Sequence, residues 1–288
     1  MKRQEEMMMK TVKSLLLLSL LSLLLWGTKG QSFAQSSRKV TREVPISQVR
    51  QIEVSDNIIV DLTQGSTESA VIYTTDKLLG YVEVKQEGDK LSIRLKESNP
   101  LRRIRKEQCV LVSLTLPSLN SITLTGAAEV RSKGDFEADK LILSLSGGSE
   151  LKGLRVLTKT TIISLSGASE LDGSIVGTVS LVASGNSEGN IHIGSAPMVV
   201  LSVSGNSEIE LSGAANQTEI VASGASEIDA DKFRTAEADV VASGSSEVAI
   251  AVSRKLDYTL SGSSELEVYG RPQISRAQQT GMSEFMLK

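Results

Sequence analysis

The sequence predicts an all-β chain folded as a right-handed parallel β-helix, a solenoid of about nine coils with about 19 residues each and an N-terminal β cap. Three observations lead to this prediction. A five-residue sequence motif, called the phrase below, recurs nine times at nearly constant spacing. Apolar and polar residues alternate around it, and the repeats are rich in Ser, Thr, Gly and β-branched residues. Crossovers between parallel strands are nearly always right-handed, which gives the expected hand.

The first 34 residues have the features of a signal peptide. Lys10 and Lys13 precede an apolar run over residues 15–26, which is short for a membrane span but typical of a signal-peptide core. Small side chains at Ser32 and Ala34 predict cleavage after Ala34. The mature chain is therefore expected to have no transmembrane span.

The acidic pair Glu5 and Glu6 conflicts with the basic start that signal peptides require. A start at Met7, Met8 or Met9 removes both acids, so these three are the alternatives to Met1. No cysteine stands directly after the apolar run, at residues 27–37, which excludes a lipoprotein anchor. The chain is expected to be exported, with the periplasm, the outer-membrane surface and the exterior left open as destinations.

Residues 40–118 lack the repeat and are predicted to form short strands of an N-terminal cap. The predicted strands are 49–54, 58–63, 70–74, 81–85, 90–95 and 109–116, with a hairpin turn at 86–89. Because solenoids need their ends covered, this segment is expected to continue directly into a β-helix of residues 119–288.

The repeated phrase is Ser-Gly-x-Ser-Glu, with Thr replacing the first Ser in the first and last copies. Its glycines are separated by 18 to 21 residues and are Gly126, Gly147, Gly167, Gly185, Gly205, Gly224, Gly244, Gly262 and Gly281. A unit of this length is too short to bury its own apolar face. Stacked coils join the small faces into one continuous core, which favours a solenoid.

Around each glycine the pattern has a period of two. Residues four positions before and after it are apolar in nearly every copy, which places even positions inward. The preceding Ser or Thr and the Glu three positions later then point outward. This alternation, together with the low helix propensity of the repeat, excludes a helical solenoid.

Each residue of the phrase has a predicted structural role. Glycine can take a left-handed conformation at a corner, and the predicted corner residues are Gly126, Gly147, Gly167, Gly185, Gly205, Gly224, Gly244 and Gly262. The serine two positions later points inward, where its hydroxyl can bond to backbone groups. A catalytic serine would need one distinctive base instead of nine equivalent neighbours.

The glutamates of the phrase form a predicted ladder along one outward edge. Its central members are the candidate ligand-binding residues Glu150, Glu170, Glu188, Glu208, Glu227 and Glu247. One interpretation is a solvated acidic edge that keeps the rod soluble and discourages sideways sheet pairing. The alternative is a row of calcium sites, but the chain lacks the glycine-rich nonapeptide of calcium-binding β-rolls. Calcium is therefore the less favoured interpretation.

Composition excludes several classes of protein. The single cysteine, Cys109, rules out an internal disulfide framework and a cysteine-based zinc site. The single histidine, His192, leaves no partner for a histidine-rich metal cluster. A net charge of -3 disfavours a nucleic-acid binder, which would need a basic face. No metal site, cofactor or nucleic-acid partner is predicted.

A polysaccharide lyase or hydrolase is the enzymatic alternative, since that chemistry is often found on parallel β-helices. Such enzymes break their repeat with a local cluster of Asp, Lys, Arg or His, and glycosidases need a carboxylate pair in a cleft. The outward positions here carry the same residue types from repeat to repeat, and His192 has no evident partner in the sequence. His192 is therefore interpreted as an exposed strand residue, and no catalytic residue is assigned.

Two further features stand out from the acidic background. The basic run at residues 102–106 could meet anionic envelope groups, although such runs are more often solvated loops. Cys109 is interpreted as a small buried hydrophobe.

The chain resembles the DUF2807 family, the head GIN domain of auto-transporter adhesins, which is common in Bacteroidetes. The matching segments are residues 42–44, 52–65, 78–82, 88–93, 116–119 and 268–272, together with the repeats. The family repeat usually ends in Gly-Ser-Gly-Asp, whereas this chain has Ser-Gly-x-Ser-Glu. The resemblance runs from about residue 40 to the end and implies a β-helical envelope protein with an adhesive role.

Taken together, these features predict an exported, non-enzymatic binding or adhesion module of the cell envelope. A glycan or an envelope protein is the expected partner, and the sequence leaves the oligomeric state open. The alternatives are the polysaccharide-active enzyme and a calcium-binding structural scaffold.

Overall fold

The computed structural model describes residues 38–97 and 110–288. The predicted signal peptide, the basic run at 102–106 and Cys109 lie outside the described residues. The described chain contains one short helix, α1 (Asp76–Leu79), and no helix within it is long and apolar enough to cross a membrane.

Nineteen strands make up 71% of the described structure. In chain order they are β1 (Lys39–Val44), β2 (Gln51–Val54), β3 (Ile58–Gln64), β4 (Ser69–Thr75), β5 (Val82–Glu87), β6 (Lys90–Leu95), β7 (Val110–Leu116), β8 (Ser121–Leu124), β9 (Glu129–Lys133), β10 (Asp135–Leu145), β11 (Glu150–Leu165), β12 (Glu170–Ala183), β13 (Glu188–Val203), β14 (Glu208–Ala222), β15 (Glu227–Ala242), β16 (Glu247–Leu260), β17 (Glu265–Tyr269), β18 (Gln273–Gln279) and β19 (Glu284–Leu287).

The chain forms a parallel β-solenoid, which confirms the predicted fold class. It has about eight turns instead of the nine coils predicted. The difference has a simple cause, because the ninth copy of the phrase is followed by a single short strand, β19, which does not complete a coil.

Each long strand runs from one corner glycine to the next. Its first half pairs with the first halves of the strands in neighbouring coils, and its second half pairs with their second halves. Register shifts between the two halves mark the bend that separates them. The corner glycine thus separates two outward surfaces, one before it and one after it in the chain.

The amino-terminal strands form the start of the solenoid as well as its covering. β2 pairs with β8 in parallel, and β3 pairs with β9 in parallel, so β2 and β3 are the two halves of a coil. The corner between them is Asp56, a non-glycine residue with φ of +66°. Its side-chain carboxylate accepts a hydrogen bond from the backbone N–H of Leu95 at 2.8 Å.

Antiparallel strands lie at the two outer edges of this end. β5 pairs with β6 in a hairpin whose turn contains Gly88 at φ of +63°. On the other edge, β4 pairs with both β7 and β1 in antiparallel fashion. At both edges the strand direction reverses, and the stack of parallel strands ends there.

The corner glycines stack directly on one another. All nine have φ between +72° and +85°, a left-handed conformation that side chains disfavour. From the second copy on, the residue after each glycine donates its N–H to the carbonyl of the glycine one coil earlier, at 2.7 to 2.8 Å. A Cβ on Gly205, for example, would lie 2.6 Å from the carbonyl oxygen of Gly185. The corner therefore requires glycine for both its backbone angle and its close packing.

One continuous apolar core fills the solenoid. The inward serines of the phrase border this core, and those from Ser149 to Ser264 are fully buried. The Ser207 hydroxyl donates to the carbonyl oxygen of Ser204 at 2.9 Å. Ser149 is buried without a hydrogen-bond partner among the described residues.

Candidate functional site

The glutamates of the phrase lie in register along the solenoid. Strand pairing places Glu129 beside Glu150 and continues without a break through Glu170, Glu188, Glu208, Glu227, Glu247, Glu265 and Glu284. All of the predicted candidate ligand-binding residues therefore belong to one row. Neighbouring members are separated by one strand spacing, about 4.8 Å.

Backbone hydrogen bonds fix the spacing of this row. The N–H of Glu208 donates to the carbonyl of Ser187 at 3.0 Å, and the N–H of Glu227 donates to the carbonyl of Ser207 at 3.0 Å. The same bond recurs at every coil with nearly the same length. The recurring backbone hydrogen bond thus holds the glutamates at the same position in every coil.

A second acidic row runs beside the first, two residues further along each strand. In consecutive coils it contains Asp172, Asn190, Glu210, Asp229, Ala249 and Glu267. The sequence prediction missed this row because its residues vary from coil to coil. The available signal was the period of two, which places these residues on the same outward side as the glutamates. We call the two rows together the Glu face.

Cations accompany the Glu face mainly at its two ends. Lys152 lies 2.7 Å from Glu150 and 4.0 Å from Glu170, and Lys288 lies 2.6 Å from Glu267. Between Glu188 and Glu247, no glutamate of the ladder forms an ion pair within the described part of the chain. The middle of the Glu face therefore presents negative charge that is not neutralised by neighbouring side chains.

Two shallow grooves lie along the Glu face. One of about 310 Å³ is lined by both rows between Glu170 and Glu210, and one of about 290 Å³ is lined by both rows between Glu227 and Tyr269. Each groove follows the stacking direction across several coils. Such a surface can contact an extended partner at several equivalent points.

Burial and like charges raise the pKa of two glutamates in the ladder. Partial desolvation is the main cause at Glu227, followed by the charges of Glu208 and Glu247. The pKa of Glu265 is raised by partial desolvation and then by Glu247 and its other acidic neighbours. At Glu227 and Glu265, neighbouring carboxylates therefore add to the effect of burial in disfavouring ionisation.

This repulsion predicts that Glu227→Gln stabilises the protein at neutral pH, by at most about 1 kcal/mol. A raised pKa means that the folded protein binds the proton more tightly than the unfolded chain does. Wild-type stability should therefore increase as the pH falls through the raised pKa of Glu227. The advantage of the variant should disappear once the pH lies below the ordinary glutamate pKa, where both states are protonated.

Urea unfolding of both proteins between pH 3.5 and 8 measures this effect. The matched control is Glu137→Gln, which changes an exposed glutamate outside the ladder. An equal gain for both variants, or a gain independent of pH, contradicts repulsion within the ladder.

Among the described residues, no group of three or more His, Cys, Asp or Glu side chains has an arrangement that could hold a metal ion. The glutamates of the ladder are instead spread along the stacking direction. The calcium alternative stays a prediction from the sequence.

The structure agrees with the interpretation of His192 as an exposed strand residue. The side chain is exposed as expected, but it has a partner, because its Nδ1 lies 3.0 Å from the hydroxyl oxygen of Ser212 in the next coil. A groove of about 460 Å³ lies beside it and is also lined by Lys133, Arg155 and Asp172. The sequence did not reveal this cluster because its members come from four different coils and differ in residue type.

Fold and surface together define a parallel β-solenoid that presents a repeated acidic face. The chain belongs to the DUF2807 family, whose description is "Putative auto-transporter adhesin, head GIN domain"; the family model matches residues 49–192 and 163–272. This membership confirms the resemblance found in the sequence. No curated protein matches the chain in sequence.

Several solved structures share this fold. A "putative lipid binding protein" from Parabacteroides distasonis has a TM-score of 0.61 at 17% identity, covering 88% of this chain and 98% of its own. A "putative adhesin" from the same species has a TM-score of 0.66 at 12% identity, covering 87% and 98%. A "putative adhesin" from Parabacteroides merdae has a TM-score of 0.60 at 16% identity, covering 88% and 97%. At these identities the likeness shows the fold alone.

Proposed function

We propose that the protein is an exported, non-enzymatic adhesion module of the cell envelope that binds its partner through the Glu face. One observation carries this proposal, namely that a single acidic surface is presented at constant spacing over most of the solenoid. The family description and the adhesin titles of similar structures support an adhesive role. The predicted signal peptide supports export.

The charge of the Glu face indicates the chemistry of the partner. The unneutralised carboxylates between Glu188 and Glu247 favour a surface that carries positive charge or many hydroxyl donors. A basic segment of an envelope protein and an amino-sugar-containing glycan both meet this description. Because each coil offers nearly the same contacts, weak contacts at neighbouring coils can add up to firm attachment of a repetitive partner.

The Glu face also lacks the asymmetry that catalysis requires. Acid–base enzymes place two titratable groups in different environments, which separates their pKa values. The ladder instead repeats one residue in nearly one environment. This regularity supports a binding role for the face over a catalytic one.

A binding assay against envelope fractions and a glycan array tests the proposal, using residues 35–288 with calcium and with a chelator. We expect saturable binding that weakens at least tenfold when Glu188, Glu208 and Glu227 are all changed to Gln. The control changes three exposed acids outside the Glu face, Asp135, Glu137 and Asp139, to their amides. Equal losses for both triple variants, or no binding to any fraction, would count against the Glu face.

The chelator arm separates the calcium alternative. Binding that is lost in the chelator and restored by added calcium would assign the ladder a metal-bridging role. Binding that is unchanged in the chelator would support direct contact between the carboxylates and the partner.

The cluster around His192 favours a second candidate function, a polysaccharide-active site. Lys133 and Arg155 could bind an acidic sugar, while His192, which contacts Ser212, could transfer protons. Turnover of a polysaccharide that is abolished by His192→Ala would support this candidate and contradict the non-enzymatic proposal. The matched control is Ser174→Ala, which changes another residue lining the same groove.

A further inference from the structure

A third outward row runs beside the Glu face. In five consecutive coils it contains Arg155, Ser174, His192, Ser212 and Lys232, which strand pairing connects without a break. In the middle three coils each member lies two residues after the second acidic row, so the two rows are about 7 Å apart. We call it the cation row, because it has a cation at each end with hydroxyl and imidazole groups between them.

The donors of the cation row are available to a ligand. Lys232 is exposed and has no ion-pair partner in the described part of the chain. The Nε of Arg155 lies 2.7 Å from the carboxylate of Asp135, in a solvent-exposed pair of the kind that holds weakly. His192 contacts Ser212 through Nδ1, so its second ring nitrogen remains for another partner.

The groove beside His192 gathers several donors at the amino-terminal end of the row. Lys133, Arg155, Ser174 and His192 all line its volume of about 460 Å³. Lys133 is exposed and forms no ion pair among the described residues. Two cations, a hydroxyl and an imidazole around one groove suit an anionic group, since charged donors make the strongest hydrogen bonds to carboxylates. We call it the cationic groove.

The cationic groove adjoins an acidic groove at Asp172. This residue lines the cationic groove and also the groove of about 310 Å³, whose other acids are Glu170, Glu188, Glu208 and Glu210. The Asp172 carboxylate accepts a hydrogen bond from the N–H of Gly153 at 3.2 Å, which holds it at the boundary. Two grooves of opposite charge thus meet at one residue.

The opposite charges of the two grooves define the charge of the partner. A purely cationic chain would place like charges against Lys133 and Arg155, and a purely anionic chain would place them against the glutamates. Like charges opposed across an interface are costly, whereas complementary charges select the right partner. A chain that carries both amino and carboxylate groups, about 7 Å apart, complements both grooves.

The surroundings of the grooves favour a polysaccharide over a protein. The strands β11 to β14 are paired on both sides, so a peptide finds no free edge at which to extend the sheet. Among the described residues, neither groove is lined by a Trp or Tyr side chain, which commonly anchors a protein interface. The grooves offer charges and hydroxyls, and a charged polysaccharide presents both along its whole length.

We propose that the Glu face and the cation row form one bipolar site, whose partner is a zwitterionic polysaccharide with both amino and carboxylate groups. The Glu face remains the binding surface, so this partner rests on the proposed function. The amino groups of the polymer lie against Glu188, Glu208 and Glu210, and its carboxylates lie against Lys133 and Arg155. The glutamates repeat at each coil, so contacts of a repetitive polymer at neighbouring coils act together.

One polysaccharide in three chemical forms tests the charge of the partner. De-N-acetylated hyaluronan carries amino and carboxylate groups in alternation, its re-acetylated form keeps only the carboxylates, and its carboxyl-reduced form keeps only the amino groups. We expect calorimetric titration of residues 35–288 to show at least tenfold tighter binding of the zwitterionic form than of either other form. Equal affinity for the zwitterionic and amino-only forms, or no binding of any form, would overturn the zwitterionic partner.

Charge-removing variants locate the anion-binding half of the site. Lys133→Gln combined with Arg155→Gln should weaken binding of the zwitterionic form at least tenfold, without weakening binding of the amino-only form. The matched control is Lys140→Gln combined with Lys159→Gln, which removes the same charge from exposed lysines outside both grooves. Circular dichroism on each variant checks that folding is unchanged. Equal losses for the two double variants would rule out the cationic groove as the anion site.

The glutamate triple variant separates the bipolar site from the proposed function. If changing Glu188, Glu208 and Glu227 to Gln abolishes binding while the Lys133 and Arg155 changes have no effect, only the bipolar site is overturned. If the triple variant binds every form and the envelope fractions as the wild type does, both proposals are overturned. Losses in both variants, each greater than in its matched control, are the result we expect.

Discussion

Replacing Gly205 by valine should lower the free energy of unfolding by about 3 kcal/mol or more. A left-handed backbone costs a non-glycine residue about 1 to 2 kcal/mol, and a β-branched side chain tolerates it least. Gly205 has φ of +78°, and a Cβ there would lie 2.6 Å from the carbonyl oxygen of Gly185. The new side chain would also disturb the hydrogen bond from the N–H of Asn206 to that carbonyl. Chemical denaturation monitored by circular dichroism measures the loss.

The matched control is Glu208→Ala, three residues away in the same phrase. It removes an exposed side chain with like-charged neighbours, so its effect should stay within about 0.5 kcal/mol. Gly205→Ala should fall between the two, because it adds the clash without the β-branch. Equal destabilisation by Gly205→Val and Glu208→Ala would show that the corner does not depend on glycine.

Replacing Phe233 by alanine should destabilise the protein by about 3 to 5 kcal/mol, the usual effect of removing a fully buried phenylalanine. Phe233 and Phe136 are the two largest fully buried side chains among the described residues. It pairs in register with Gly213, which has no side chain to fill the space. Removal of the ring should therefore leave a cavity that the rigid coils cannot close.

Phe285→Ala is the control for this prediction. Phe285 is half-buried in the last strand and stacks on Tyr258 with ring centroids 4.6 Å apart. Its loss removes an aromatic contact but opens no enclosed cavity, so we expect about 1 to 2 kcal/mol. Thermal and urea unfolding should rank the two variants in this order. The opposite order would mean that the core around Phe233 repacks freely.

The repeat carried most of the information about the fold. Nine glycines at one spacing, with apolar residues at even positions around them, were sufficient to predict parallel stacking and the inward and outward sides of each strand. The prediction missed β1 and α1 at the amino terminus, where no repeat exists and local patterns are short. It also missed the corner at Asp56, because an aspartate there takes the left-handed conformation that glycine takes in the later coils.

The candidate site was predicted less completely. The row of Glu150 to Glu247 could be recognised because the same residue recurs at the same place in each copy. The second acidic row and the cluster around His192 could not be recognised in this way, since their members differ from coil to coil. Only the register of neighbouring strands shows which of these variable residues are neighbours.

The sequence by itself determined the solenoid, its repeat length and the outward glutamates, because each depends on a local pattern that recurs in the chain. Tertiary structure decided how the surfaces are composed. It placed Val221 beside Val241 and His192 beside Ser212, because residues about 20 positions apart become neighbours at one strand spacing. Register shifts in the bends, which the spacing of glycines does not reveal, determine which residues meet.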